Sequence, residues 1–219
     1  MTLPGTVQLW EVDLDAFGGP DLLSEDERAR AARFRFDRDR KRFSAGRTAL
    51  RIVLANTVKK APGELTFQYG PAGKPSFAGV SFNLAHSGAR ALIAVSDGGA
   101  VGVDLEEIHP LDDMVDTARA AFAPGEFDRW RNARAGDRLD LFYRIWTRKE
   151  AYLKAIGEGI AQRLQQFEVA FEPGETPRIL HGAEGVWTLA DVSKTPDYIA
   201  ALAIEGSGAN IERHTLATA

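Results

Sequence analysis

Two groups of residues in this sequence have types and spacings suited to chemistry. The first is Val101-Gly102-Val103-Asp104-Leu105-Glu106. In an extended strand the period of two sets Val101, Val103 and Leu105 on one face, and Gly102, Asp104 and Glu106 on the other. Two carboxylates on one strand face repel each other unless they are solvated or share a cation. Oxygen-only ligands of this kind suit a hard cation such as magnesium. Gly102 leaves room for something to approach the backbone. A solvated strand end is the plainer alternative. The second group runs Trp146-Thr-Arg-Lys149-Glu150-Ala-Tyr-Leu-Lys154-Ala-Ile-Gly157-Glu-Gly159. Glu150 and Lys154 are four apart and share a helix face with Trp146. An ordinary exposed ion pair, worth about a few tenths of a kcal/mol, would show the same spacing. The aromatic on that face argues for partial burial.

The elements that must position these groups are readable in outline. Val7 to Val12 alternates like a strand, and Ser24 followed by Glu27 is a capping box that opens a helix. A second helix spans about Arg38 to Val58, with Phe43, Leu50, Val53, Leu54 and Val58 as its apolar stripe. Ten Arg or Lys lie between Arg28 and Arg51 against two acids, Asp37 and Asp39, a pattern that reads first as a solvated helix face. Ser81 to His86, Ala89 to Ser96 and Ala100 to Glu106 read as strands separated by the turns Ser87-Gly88 and Asp97-Gly98-Gly99. As an antiparallel meander they would gather His86, Arg90, Asp104 and Glu106 at one edge. The main helix runs from about Asp137 to Ile156 and stops at Gly157. Phe167 to Phe171, Val186 to Ala190 and Tyr198 to Ile204 read as further strands.

The second half echoes the first. Leu65-Thr-Phe-Gln-Tyr-Gly-Pro is similar to Phe167-Glu-Val-Ala-Phe-Glu-Pro, and Ala91-Leu-Ile-Ala-Val to Ala200-Ala-Leu-Ala-Ile. A duplicated α+β unit would produce this, as would strand composition alone. The expected division is residues 1–108 and 109–219, with no linker between them.

Composition narrows the function. The formal net charge of −4 argues against a general nucleic-acid binder. The absence of cysteine removes disulfides, thiolate metal sites and thiol nucleophiles, and is compatible with a cytoplasmic location. No apolar stretch reaches the ~20 residues of a membrane helix, so no membrane partner is expected. Gly70-Pro-Ala-Gly73-Lys74-Pro75 is not a Walker loop, and Gly157-Glu-Gly159 lacks the third glycine of a dinucleotide fingerprint. His109, His181 and His214 are scattered singles with no assigned role.

In combination, Gly102-Val-Asp104-Leu-Glu106 and Trp146-Thr-Arg-Lys149-Glu150-Ala151-Tyr-Leu-Lys154 resemble the paired signature of 4′-phosphopantetheinyl transferases. Phe122 to Phe127, Gly73-Lys74-Pro75 and Phe82-Asn83-Leu84-Ala85-His86-Ser87 fit the same family, with Ala85 standing where many members carry serine. The size resembles the surfactin-synthetase-activating type rather than the short trimeric synthases. The resemblance implies an α+β fold of two similar halves related by a pseudo-twofold, with the active site in the cleft between them. It implies transfer of the 4′-phosphopantetheine arm of coenzyme A to a serine of an apo acyl or peptidyl carrier protein, by a magnesium-dependent monomer. Asp104, Glu106 and Glu150 would then hold the metal, and Glu150, Lys154 and Asp104 would be catalytic. Arg42, Lys74, Pro75, His86, Lys149 and Lys154 would bind coenzyme A. Carrier docking is expected around Phe122 to Trp130 and Ile156 to Leu164. A metal-dependent phosphodiesterase and a non-catalytic coenzyme A or carrier-binding module are the alternatives.

Overall fold

The computed structural model describes residues 5–70, 73–157 and 163–217. Strand β1 (Thr6–Asp13) is as alternating as its sequence: Val7 and Leu9 join one core, Trp10 and Val12 another. Helices α1 (Glu25–Ala31) and α2 (Asp37–Val58) follow, then a 3-10 turn over Pro62–Glu64 and the short hairpin β2 (Gln68–Tyr69) and β3 (Pro75–Ser76). The hairpin β4 (Ser81–Ser87) and β5 (Arg90–Ser96) completes this part, with Gly88 supplying the positive φ of 55° at its turn. β5 pairs antiparallel with both β1 and β4.

The rest repeats that order. β6 (Val101–Glu107) is followed by α3 (Met114–Ala121), α4 (Pro124–Asn132) and α5 (Arg138–Ile156). A 3-10 turn at Leu164–Gln166 leads into β7 (Glu168–Val169), β8 (Ile179–His181), β9 (Trp187–Asp191) and β10 (Tyr198–Glu205). β11 (Asn210–Thr215) ends the chain's regular structure. The sheet orders correspond, β1-β5-β4 in one half and β6-β10-β9 in the other, and β11 adds to the first sheet in parallel with β1. The echoed segments Ala91-Leu-Ile-Ala-Val and Ala200-Ala-Leu-Ala-Ile are the equivalent central strands β5 and β10. The fold is thus α+β with two similar halves.

The meander is corrected by this pairing. β6 takes its hydrogen bonds from β10, not from β5. Arg90 therefore leaves the expected cluster and pairs with Asp13 at 3.3 Å and Glu11 at 3.8 Å.

Three apolar interfaces stack the layers. Leu50, Val53 and Leu54 of α2 pack on Phe82, Ile93 and Val95 of the first sheet. Val7, Leu9, Leu92 and Ala94 on its other face meet Val103, Leu105, Leu202 and Ile204 of the second. Ala201 and Ala203 then receive Ala151 and Ala155 of α5. The order is helix, sheet, sheet, helix. Gly102 is what lets the last layer close: a Cβ there would lie 2.1 Å from Ala151 O and 2.4 Å from Ala155 N. What approaches its backbone is the protein's own helix. No helix among the described residues is long and apolar enough to cross a membrane.

Candidate active site

The candidate site forms where the edge of β4 runs beside β6. Asn83 Oδ1 accepts the Val103 N–H at 2.9 Å. Ser87 Oγ donates to Glu106 Oε2 at 2.9 Å and accepts the Glu107 N–H at 3.0 Å. These bonds fix β6 at the junction of the halves, and the period of two turns Gly102, Asp104 and Glu106 toward α5.

From α5, Lys154 reaches Asp104, to which its Nζ donates. The i,i+4 ion pair between Glu150 and Lys154 that the spacing allows does not form. Asp104 and Glu150 are 3% and 2% exposed, and each keeps a buried oxygen without a hydrogen-bond partner: Asp104 Oδ2 and Glu150 Oε1. Burial, then the charges of Asp104 and Glu106 against the opposing pull of Lys154, push the Glu150 carboxyl up to about 7. Glu106 is also raised, by burial and by Asp104, while Ser87, Lys154 and the Trp146 indole act in the other direction. Burial opposes the charge of Lys154, but Asp104, Glu150 and Glu106 outweigh it and hold its pKa above the ordinary value.

Three coupled carboxylates with two orphaned buried oxygens have the donor chemistry of a hard-cation site. Among the described residues no group of three His, Asp or Glu side chains is already converged around a metal position, and Lys154 neutralises part of the cluster instead. The donor types fit a hard cation such as magnesium.

Lys149 is not a coenzyme A ligand. Its ammonium is 0% exposed and paired with Glu126, also 0% exposed, at 2.7 Å. Its other donors go to Leu164 O at 2.7 Å and to Phe167 O. All three N–H bonds are used inside the second half, and none is left for a phosphate. Breaking this pair should act on stability rather than on substrate binding. Glu126→Ala should cost about 3–5 kcal/mol through the unpaired buried lysine. Denaturant unfolding, with the KM for coenzyme A measured alongside, checks this; a raised KM at unchanged stability would return Lys149 to the binding site.

The remaining candidates lie around the carboxylates. Lys74, just before β3, donates from Nζ to Lys154 O and, at 3.2 Å, to Ala155 O, at the C-terminal end of α5. Burial lowers its pKa. Pro75 begins β3, opposite Tyr69. His86, near the end of β4, stays open on one side, while burial on the other and the charges of Lys154 and Arg30 lower its pKa. Arg42 on α2 is engaged by Asp15 in a two-point ion pair, Nε to Oδ1 at 2.7 Å and Nη2 to Oδ2 at 2.6 Å.

The expected docking segment Phe122 to Trp130 is corrected at both ends. Phe122 and Trp130 are each 1% exposed and stack edge to face within the second core. In the other docking segment, Ile156 to Leu164, residues 158–162 lie outside the described residues, as do Pro71 and Ala72 beside Lys74.

The sequence shows Ser87, Asn83 and Glu126 only as members of family-like segments, with no role assigned to them. Their signals were slight: a serine and an asparagine in a strand, and an acid at the third position of α4. A cavity of about 240 Å³ lies on the opposite face of β6, under Leu105, and does not include the carboxylates.

Comparison with known proteins gives a consistent result. The sequence model of the 4′-phosphopantetheinyl transferase superfamily matches residues 100–203, and that of the 4′-phosphopantetheinyl transferase N-terminal region matches residues 12–98. The 4′-phosphopantetheinyl transferase HetI of Nostoc sp. is 39% identical over 217 residues, covering 94% of this chain and 90% of that protein. A phosphopantetheinyl transferase of Thraustochytrium sp. is 32% identical over 234 residues, covering 94% and 81%. Among solved structures, a holo-(acyl-carrier-protein) synthase from Bacillus anthracis in complex with CoA (3′,5′-ADP) is 20% identical, with a TM-score of 0.43, over 50% of this chain and 96% of that one.

Proposed function

Because this chain belongs to the 4′-phosphopantetheinyl transferase superfamily, we propose that it carries the phosphopantetheine arm of coenzyme A to a serine of an apo acyl or peptidyl carrier protein. The observation that carries the reading is the pairing of Asp104 Oδ2 and Glu150 Oε1, buried and unpartnered, with Lys154 beside them. That donor set supports magnesium dependence. Two halves carried on one chain support the surfactin-synthetase-activating type, acting as a monomer.

In the reaction the serine Oγ forms a bond to the β-phosphorus of coenzyme A, and the bond from that phosphorus to the bridging oxygen breaks. Adenosine 3′,5′-bisphosphate leaves. Magnesium, when bound, screens the charge on the phosphoryl oxygens. Glu150, directly or through a water, accepts the serine proton. Lys154 balances the charge that collects on the bridging oxygen, and Asp104 holds its ammonium in place until then. Glu106, tied to Ser87, completes the acidic wall. On the first half, Lys74 keeps one N–H free for a phosphate after its two bonds to α5 carbonyls. His86 and Arg42 serve the 3′-phosphate, Arg42 by exchanging Asp15 for the ligand, while Pro75 begins β3 next to Lys74. The carrier approaches from the second half, where the exposed face of α4 rather than its buried Trp130 is available.

Intact-mass spectrometry of several apo carrier proteins, incubated with this protein, coenzyme A and magnesium, tests the reading. One carrier should gain the mass of a single phosphopantetheine arm. Hydrolysis of coenzyme A with every carrier left unmodified would make the chain a phosphodiesterase instead.

A further inference from the structure

Glu27 makes more bonds than a helix cap requires. It sits at the third position of α1, 1% exposed, and accepts the Ser24 N–H at 2.9 Å. It also accepts Arg47 Nε at 2.6 Å and Arg51 Nε at 2.7 Å, both from α2. The two guanidinium groups direct further donors to a single stretch of chain. Arg51 Nη1 donates to Pro62 O at 3.0 Å and to Leu65 O at 2.9 Å. Arg47 Nη2 donates to the Tyr69 hydroxyl at 2.9 Å. Both groups lie 5.0 Å from the centre of the Phe67 ring. One buried acid thereby fixes the whole approach to β2.

The second half contains the same device. Glu126 is at the third position of α4 and accepts the Ala123 N–H at 2.9 Å. It pairs with Lys149 of α5, whose ammonium donates to the carbonyls of Leu164 and Phe167, just before β7. Acid, base and carbonyls correspond: Glu27 to Glu126, Arg51 to Lys149, Leu65 to Phe167. What the struts hold does not correspond. Only the first hairpin leads to a residue that crosses to the other half, Lys74, whose ammonium ends against the Lys154 and Ala155 carbonyls. Among the described residues the β7–β8 hairpin makes no such crossing. The Arg47 to Tyr69 bond likewise has no counterpart among the described residues of the second half, and it lies on the strand that pairs Tyr69 with Pro75, next to Lys74.

We propose that Glu27, Arg47, Arg51 and Tyr69 are positioning residues that hold the β2–β3 hairpin so that Lys74 meets coenzyme A from a fixed place beside Lys154. The inference rests on the reading of Lys74 as a coenzyme A contact. A hairpin of two-residue strands has little order of its own. Without the hub, ordering it would be charged against substrate binding, so the effect belongs in the KM for coenzyme A.

Steady-state kinetics on Tyr69→Phe, Glu27→Gln and Lys74→Ala, with melting temperatures, test this. Tyr69→Phe keeps the ring and loses two hydrogen bonds to charged groups, the one accepted from Arg47 and the one donated to Asp26 Oδ2 at 3.4 Å. It should raise the KM for coenzyme A about threefold to tenfold, with kcat and the KM for the carrier nearly unchanged. Glu27→Gln should move the same KM further and also lower the melting temperature. In the Lys74→Ala background, Tyr69→Phe should add nothing, because both act through one group. A normal KM in Tyr69→Phe alongside a raised one in Lys74→Ala overturns the proposal, as does an additive effect in the double variant. A normal KM in Lys74→Ala itself overturns the coenzyme A assignment of Lys74, and the proposal with it.

Discussion

Glu150→Gln should lower kcat about 10²- to 10³-fold while making the cation-free protein more stable. The loss of rate follows from removing the proton acceptor and one carboxylate of the acidic wall. The gain in stability follows from the environment of that carboxylate. The folded protein raises its pKa from 4.5 to about 7, chiefly by burial, so folding disfavours the charged form. A group with a raised folded pKa contributes stability that is fully present below the unfolded value and is lost as pH rises through the folded one. For Glu150 that window runs from 4.5 to about 7. That difference corresponds to roughly 3 kcal/mol. In chelator, the unmodified protein should therefore lose stability across that window. Glu150→Gln should show a shallower slope and a higher melting temperature at pH 8. Magnesium should raise the melting temperature of the unmodified protein more than that of the variant, because the charge of one of the two orphaned carboxylates is gone. Equal pH slopes in chelator, or a kcat within about threefold of normal, would remove Glu150 from this role.

Lys154→Ala should lower kcat to a comparable degree by a different route. Here the ammonium that balances the bridging oxygen is lost, and no carboxylate is removed. Its absence also uncovers Asp104 Oδ1, leaving a buried carboxylate beside Glu106 and Glu150 with its ion pair broken. Cation-free Lys154→Ala should be less stable than the unmodified protein, by about 1–3 kcal/mol, and magnesium should recover most of that difference. The two variants thus shift cation-free stability in opposite directions while both lose rate. An ordinary surface ion pair between Glu150 and Lys154 would give the reverse, small losses of stability in both and normal kinetics. Denaturant melts in chelator and in magnesium, run beside kcat, separate these cases.

Much of this was legible before any coordinates. The alternation at residues 101–106 put Asp104 and Glu106 on one face, and the 3.6-residue period put Glu150 and Lys154 on another. Both facts depend on local backbone geometry alone. The two-half architecture was visible as well, since equivalent strands and turns keep similar side chains. The Arg-rich stretch was misleading for a reason that sequence cannot show. Arg47 and Arg51 are buried because Glu27, about twenty residues away, neutralises both. Lys149 was misread in the same way. Its motif suggests a phosphate ligand, whereas Glu126 and two carbonyls enclose it.

What the sequence determined by itself was the short-range order: which residues share a strand or helix face, where helices are capped, and which residue types a phosphoryl transfer requires. The tertiary structure decided the long-range pairings. It moved β6 from β5 to β10, brought β11 back beside β1, gave Lys154 to Asp104 instead of Glu150, and closed α5 onto Gly102. The physical reason is that periodicity constrains neighbours a few residues apart, whereas partners 50 to 100 residues apart are chosen by burial and charge compensation among elements that local sequence leaves equally competent.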